Sequence, residues 1–335
     1  MRGIVVGLGG RARSWIEVAR RQPQVELVGF VEPATAQREA AVAAGVAAET
    51  IFGELHEALH HLEADFVIDV TPPKAHEEVA LMAFDHGLDV LGEKPMSDSF
   101  EVAKRMVAAG RAAGRVHMIT QNYRFNPTPR TAHRLVAGRA MGEAALCVVG
   151  FYMPWATRAG THYTTMPYPL ITDMGVHHFD LVRYVLGREP QRVLAVCWNQ
   201  SWGWHAGDAS HLYHAEFEGG LRVTHHACGC SVGKKSPWNG EWRIEGSEGS
   251  LTWEDDHLFL TRSHPAEAAR REEVPLDAMA LTGQDAILAE FVAAVRERRE
   301  PECSAADNLK SLAMVFAGIR SDQERRWVEL DELLG

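Results

Sequence analysis

The 335-residue chain lacks the features that would mark it for a membrane, an oxidising compartment or a nucleic acid. No apolar run approaches the roughly 20 residues of a spanning helix. The five cysteines, Cys147, Cys197, Cys228, Cys230 and Cys303, are odd in number and scattered. Cys228 and Cys230 form no CxxC pair, so small buried thiols in a reducing cytoplasm are expected rather than disulfides. Basic charge is in deficit, with 34 Lys and Arg against 45 Asp and Glu, a net charge of −11. That excludes the broad basic face that nucleic acids and anionic membranes require. The 17 histidines include the pairs His60/His61, His177/His178 and His225/His226, and no metal site is expected. Low-complexity segments and repeats of 20–50 residues are absent too.

What is present is an ordinary globular balance, 46% hydrophobic and 24% charged. The length suggests two domains. "MRGIVVGLGG" reads as a first β-strand rather than a signal peptide, because glycines interrupt its apolar run at once. Apolar strands ("GIVVGL", "VELVGFVE", "DFVIDVT", "DVLGEK", "VHMIT") then alternate with helical stretches to about residue 120. That rhythm means βαβ units and a doubly wound parallel sheet, a Rossmann domain over 1–120. From 121 to 335 strands follow one another, with one helix near "DMGVHHFDLVRYVLG" and two near 282–298 and 305–321. An α+β domain with an open, mainly antiparallel sheet is expected there.

"VVGLGGRARSW" places Gly7 and Gly9 after the first strand and Ala12 at the start of a helix, with Leu8, Gly10 and Arg11 completing the turn. This G-x-G-x-x-A spacing suits a dinucleotide. Gly7 permits the tight turn, Gly9 the close approach of a pyrophosphate, and Ala12 close helix packing. The second strand ends in Glu32, whose carboxylate can accept from an adenosine ribose and would repel a 2′-phosphate, so NAD is favoured over NADP.

Ligands of such a sheet lie beyond the carboxyl ends of its strands. Thr71 and Pro72 stand at one of those ends, and Glu93 and Lys94 at the next. Pro95 restricts the Lys94 backbone, so the ammonium has a set direction. In the second half, Asp173 and His177 are four apart and share a helix face; Asp180 lies near it, and His178 points elsewhere. A carboxylate beside an imidazole makes a general base. On the residues alone, Asp173 as a helix cap, His177 as a core histidine, or a metal pair stay open.

Together, "GLGGRA", "TPPKAH", "EKP", "QNYRFNP", "DMGVHHFDLVRYVLG" and "GSEGSL", in this order, resemble the Gfo/Idh/MocA family over nearly the whole chain. The resemblance implies a bound nicotinamide cofactor and redox chemistry on sugars, cyclitols or related polyols. It also implies a sheet used for homodimer or homotetramer contacts. It assigns Lys94, Asp173 and His177 to catalysis and substrate binding. His76 and Asn122 join the cofactor contacts, and Arg124 and Trp155 the substrate contacts. One departure stands out: "MPYPLITDMG" puts Pro167 and Pro169 where family members often carry glycines. Trp155, Tyr163, Tyr168, Trp202 and Trp204 are aromatic surfaces suited to a sugar face or to packing.

The implied reaction is hydride transfer, with His177 as base, Asp173 as its orienter and Lys94 on the reacting oxygen. Two rivals remain: an NAD-using glycosidase working by transient oxidation and elimination, and a non-catalytic NAD and sugar sensor.

Overall fold

The computed structural model describes residues 1–154, 160–262 and 268–335. The chain divides into two compact units, Met1–Phe125 with Leu281–Leu309, and Asn126–Ala280 with Lys310–Gly335.

The first unit begins with β1 (Arg2–Val6), α1 (Ala12–Arg21), β2 (Glu26–Val31), α2 (Thr35–Ala43), β3 (Ile51–Phe52) and α3 (Leu55–His61). It continues with β4 (Phe66–Asp69), α4 (His76–Asp85), β5 (Asp89–Gly92), α5 (Phe100–Ala112) and β6 (His117–Ile119). The six strands are parallel in the order β3-β2-β1-β4-β5-β6. Every residue of β4 and β5 is buried. That is why these strands read as unbroken apolar runs: helices cover both faces. The order reverses between β1 and β4, which opens a crevice at their carboxyl ends.

The second unit contains α6 (Pro127–Ala137), β7 (Ala144–Tyr152), α7 (Gly175–Leu186), β8 (Pro190–Trp198), β9 (Ser210–Phe217), β10 (Arg222–Cys228), β11 (Glu241–Gly246), β12 (Gly249–Glu254), β13 (His257–Arg262) and β14 (Arg270–Val274). Then come α8 (Gly283–Glu297), α9 (Ala305–Glu324), β15 (Val328–Glu329) and α10 (Asp331–Leu334). Its sheet has nine strands, β14-β13-β12-β11-β7-β10-β9-β8-β15. Only the central β7–β10 pair is parallel. Burial alternates along β9 and β10, so one face is covered and the other open. On the covered face Phe179 of α7 meets Tyr213 of β9, ring centroids 4.4 Å apart.

Two sequence expectations change. The boundary at 120 misses that α8 and the start of α9 belong to the first unit. Ile287, Leu288, Phe291 and Val295 join its core, with Phe291 edge-on to Phe66 at 5.4 Å. A helix's apolar stripe shows that it packs, not against what. The run of strands after 121 also omits α6, whose start is marked by Pro127 in its first turn. Among the described residues no helix is long and apolar enough to cross a membrane, and no group of three or more His, Cys, Asp or Glu is placed to hold a metal.

Candidate active site

The glycine turn is built as its spacing demands. Gly7 has φ +94°, and a Cβ there would lie 3.0 Å from the backbone of Val70 and Thr71. Only glycine accepts both conditions. A Cβ on Gly9 or Gly10 would meet nothing within 4 Å. The space in front of the turn is therefore open, at the N-terminus of α1, where unpaired N–H groups and the helix dipole favour an anion. Ala12, 2% exposed, seats the helix against the sheet.

Glu32, buried at the end of β2, accepts from the N–H of Leu8 at 2.8 Å and of Ala34 at 3.0 Å. Arg38 arches over the same corner, donating to the carbonyls of Glu32 and Pro33 and to the Thr35 hydroxyl. Glu32 thus ties the glycine turn to the second strand, at the place where a ribose-binding acid is expected.

The ends of β4 and β5 are organised by buried side chains, of which sequence reasoning passed over Asp69 and Trp15. Asp69 accepts from both the N–H and the hydroxyl of Thr71, at 3.0 and 2.6 Å. Burial pushes its carboxyl up from the ordinary range, against the influence of His76 and those bonds. His76 is buried, with Nε2 2.9 Å from the Thr71 carbonyl and Nδ1 3.2 Å from the Met96 carbonyl. It ties the loop that carries Thr71 and Pro72 to the loop that carries Lys94. Glu93 is buried as well. It accepts from the Trp15 indole at 2.7 Å, from Arg11 at 3.2 Å and from the Lys94 N–H at 3.2 Å. Lys94 is half-buried, and its peptide bond to Pro95 is cis.

Asn122 opens a 3₁₀ turn, Asn122–Phe125, its N–H on the Thr120 carbonyl. Arg124, expected as a substrate contact, is buried and ion-paired with Asp307 at 2.8 Å, with a further bond to the Glu302 carbonyl. That geometry accounts for it as a tie between the turn and the head of α9.

In the second unit, Leu170–Met174 forms a π-helical turn that runs straight into α7. Such widened turns are frequent at functional sites. Asp173 sits in it, half-buried, and accepts from the Tyr163 hydroxyl at 3.1 Å. His177 occupies the first turn of α7 and is buried. Asp180 is committed elsewhere, accepting from Ser311, which also binds the buried Arg183. His178 does turn away, toward His225. Between Pro167 and Pro169, Tyr168 takes φ +50°, a strained conformation for a non-glycine residue, and reaches Asp322 with its hydroxyl. Trp202 is exposed and bonds the Cys230 carbonyl, while Trp204 stacks on His205 at 3.7 Å. Trp155 lies outside the described residues. The sequence marks Tyr163 as an aromatic surface for a sugar face or for packing; its bond to Asp173 spans ten positions and leaves no periodic signal.

Residues 1–121 match the model of the oxidoreductase family GFO_IDH_MocA, described as an NAD-binding Rossmann fold, and residues 129–252 match that family's C-terminal domain. The chain belongs to the Gfo/Idh/MocA family. It is an NAD(P)-dependent oxidoreductase, and its cofactor is NAD. A D-apiose dehydrogenase of Paraburkholderia graminis is 24% identical, covering 99% of this chain and 90% of its own length. A 1,5-anhydro-D-fructose reductase of Ensifer adhaerens is also 24% identical, covering 98% of each. Among solved structures, an Agrobacterium radiobacter oxidoreductase in complex with NAD+, L-tartaric acid and magnesium superposes with a TM-score of 0.88 at 18% identity, covering 99% of each chain. The relatives thus include dehydrogenases and reductases named for sugars. The residues at the glycine turn fit NAD: open space before Gly9 and Gly10, an anion-favouring helix end, and a fixed acid at Glu32.

Proposed function

We propose that the chain moves a hydride between NAD and a secondary alcohol carbon of a sugar, cyclitol or related polyol. The nicotinamide supplies the redox chemistry when bound. The chain's own residues supply proton transfer and charge. His177 takes the hydroxyl proton, and Asp173 holds the imidazole in position. Lys94 bonds the reacting oxygen and stabilises its developing negative charge. Tyr163 fixes the Asp173 carboxylate. The observation that carries this reading is the match of both family models to a chain that keeps Lys94, Asp173 and His177 at the motif positions. The sugar substrates in the relatives' names support the substrate class.

The test is His177→Ala, assayed on a polyol panel with NAD and in the reverse direction with NADH. Turnover should fall about 10²–10⁴-fold, the usual worth of a general base, while NADH affinity is kept. Unchanged turnover removes His177 from that role. Glycoside cleavage without net NAD reduction would favour the elimination mechanism instead.

The open face of the nine-stranded sheet supports a homodimer or homotetramer as part of the same reading. Val196 and Leu212 are direct cross-strand partners, 44% and 54% exposed, and Trp198, two residues beyond Val196 on β8, extends the apolar surface. Exposed patches of this kind commonly mark association surfaces. Leu212→Glu should shift the sedimentation coefficient toward the monomer; an unaltered assembly would place the interface elsewhere.

A further inference from the structure

Glu93 draws three donors from three parts of the first unit. Trp15, fully buried on α1, fixes one carboxylate oxygen through its indole N–H. Arg11, beside the glycine turn, reaches the same oxygen, but its side chain is 52% exposed. The other oxygen meets the backbone N–H of Lys94. A buried carboxylate thus has its cation stationed where a dinucleotide presents its pyrophosphate. Guanidinium groups bind phosphate strongly and in bidentate fashion. A buried carboxylate deprived of its cation favours the approach of another, and the next residue in the chain carries one.

We infer that Glu93 relays occupancy of the glycine turn to Lys94. A pyrophosphate at the turn competes with Glu93 for Arg11. Glu93, held in place by Trp15, then draws more strongly on Lys94. Trp15 and Arg11 are positioning residues for Lys94, not catalytic ones. The role of Lys94 in hydride transfer rests on the proposed function; the relay itself requires only that the turn bind a dinucleotide.

The test uses ADP-ribose, which carries the pyrophosphate but lacks the nicotinamide ring and so cannot shield Lys94 with it. Trace acetylation of Lys94 is followed by peptide mass spectrometry, with and without saturating ADP-ribose, whose binding is measured by titration calorimetry. In the wild type ADP-ribose should slow Lys94 acetylation about fivefold, the lower end of ordinary site-to-site coupling. Arg11→Gln and Trp15→Phe, saturated to the same degree, should lose most of that slowing. Equal slowing in the variants, or none in the wild type despite bound ADP-ribose, overturns the relay. Absence of ADP-ribose binding to the wild type overturns the cofactor reading of the turn and the relay with it. Loss of polyol turnover alone touches neither. Trp15 lies in the core; if its variant unfolds, the exposed Arg11 carries the test.

Discussion

The two units bury polar side chains in opposite ways. In the first, buried acids at the sheet's carboxyl edge are held by main-chain donors: Glu32 by Leu8 and Ala34, Asp69 by Thr71, and Glu93 in part by Lys94. In the second, buried imidazoles hold one another. His178 Nε2 is 2.8 Å from the Trp238 carbonyl, and its Nδ1 is 2.9 Å from His225 Nε2; His225 Nδ1 is 2.8 Å from His211 Nε2. A carbonyl can only accept, so the neutral chain has one consistent set of tautomers, with Nε2–H donating at each step. One arrangement presents charge beside a cofactor. The other fills the space between a helix and a sheet with neutral rings, and any added proton there is unwelcome.

Acid should separate the units most strongly. Burial lowers His178 to about 4 and His211 to about 3, and carries His225 well below its ordinary value, with neighbouring histidines adding to the effect on the last two. Groups depressed in this way bind protons in the unfolded chain first. Stability is therefore intact above the unfolded value near 6.5 and lost as pH falls below it. At pH 5 each ring costs about 2 kcal/mol, and three cost about 6, a large share of a typical domain's stability. The first unit has one such ring, His117, lowered to about 3 by burial, with neither nitrogen partnered among the described residues. Burial raises the Asp69 and Asp89 carboxyls, so acidification favours their native state. Amide exchange between pH 7 and 5 should show β9 and β10 losing protection well before β4 and β5. Parallel loss in both sheets would mean that the histidine chain takes up protons without cost.

This contrast was only half legible in the sequence. The glycine turn, Glu32 and Lys94 could be read because backbone geometry dictates residue type there, and the dictating residues are neighbours. The Trp15–Glu93 bond joins positions 78 apart, and nothing periodic announces it. The histidine chain was hidden for the same reason. His211 and His225 fall on buried strand positions, but their meeting depends on how β9 and β10 lie in register, and neither strand's pattern states that alone. The resemblance places Arg124 among the substrate contacts because a family motif fixes position in the chain; its partner Asp307 arrives with α9 and is not legible there.

Two glycines of the turn sharpen the comparison at its smallest scale, since they separate what the fold needs from what the ligand needs. Gly7→Ala forces a left-handed backbone on alanine, worth about 1–2 kcal/mol, and presses a methyl against the Val70–Thr71 backbone at 3.0 Å. It should lower the melting temperature and weaken NADH binding together. Gly9→Ala meets nothing of the protein within 4 Å, and its backbone is not left-handed. Helix and turn should therefore tolerate the methyl, with melting unchanged within about 0.5 kcal/mol, the usual range for such sites. Its only obstacle is a ligand pressed close to the backbone, so NADH affinity should still fall severalfold when measured by titration. If Gly9→Ala binds NADH as the wild type does, the pyrophosphate does not approach that residue, and the anion-binding role passes to Gly10 and Arg11 alone.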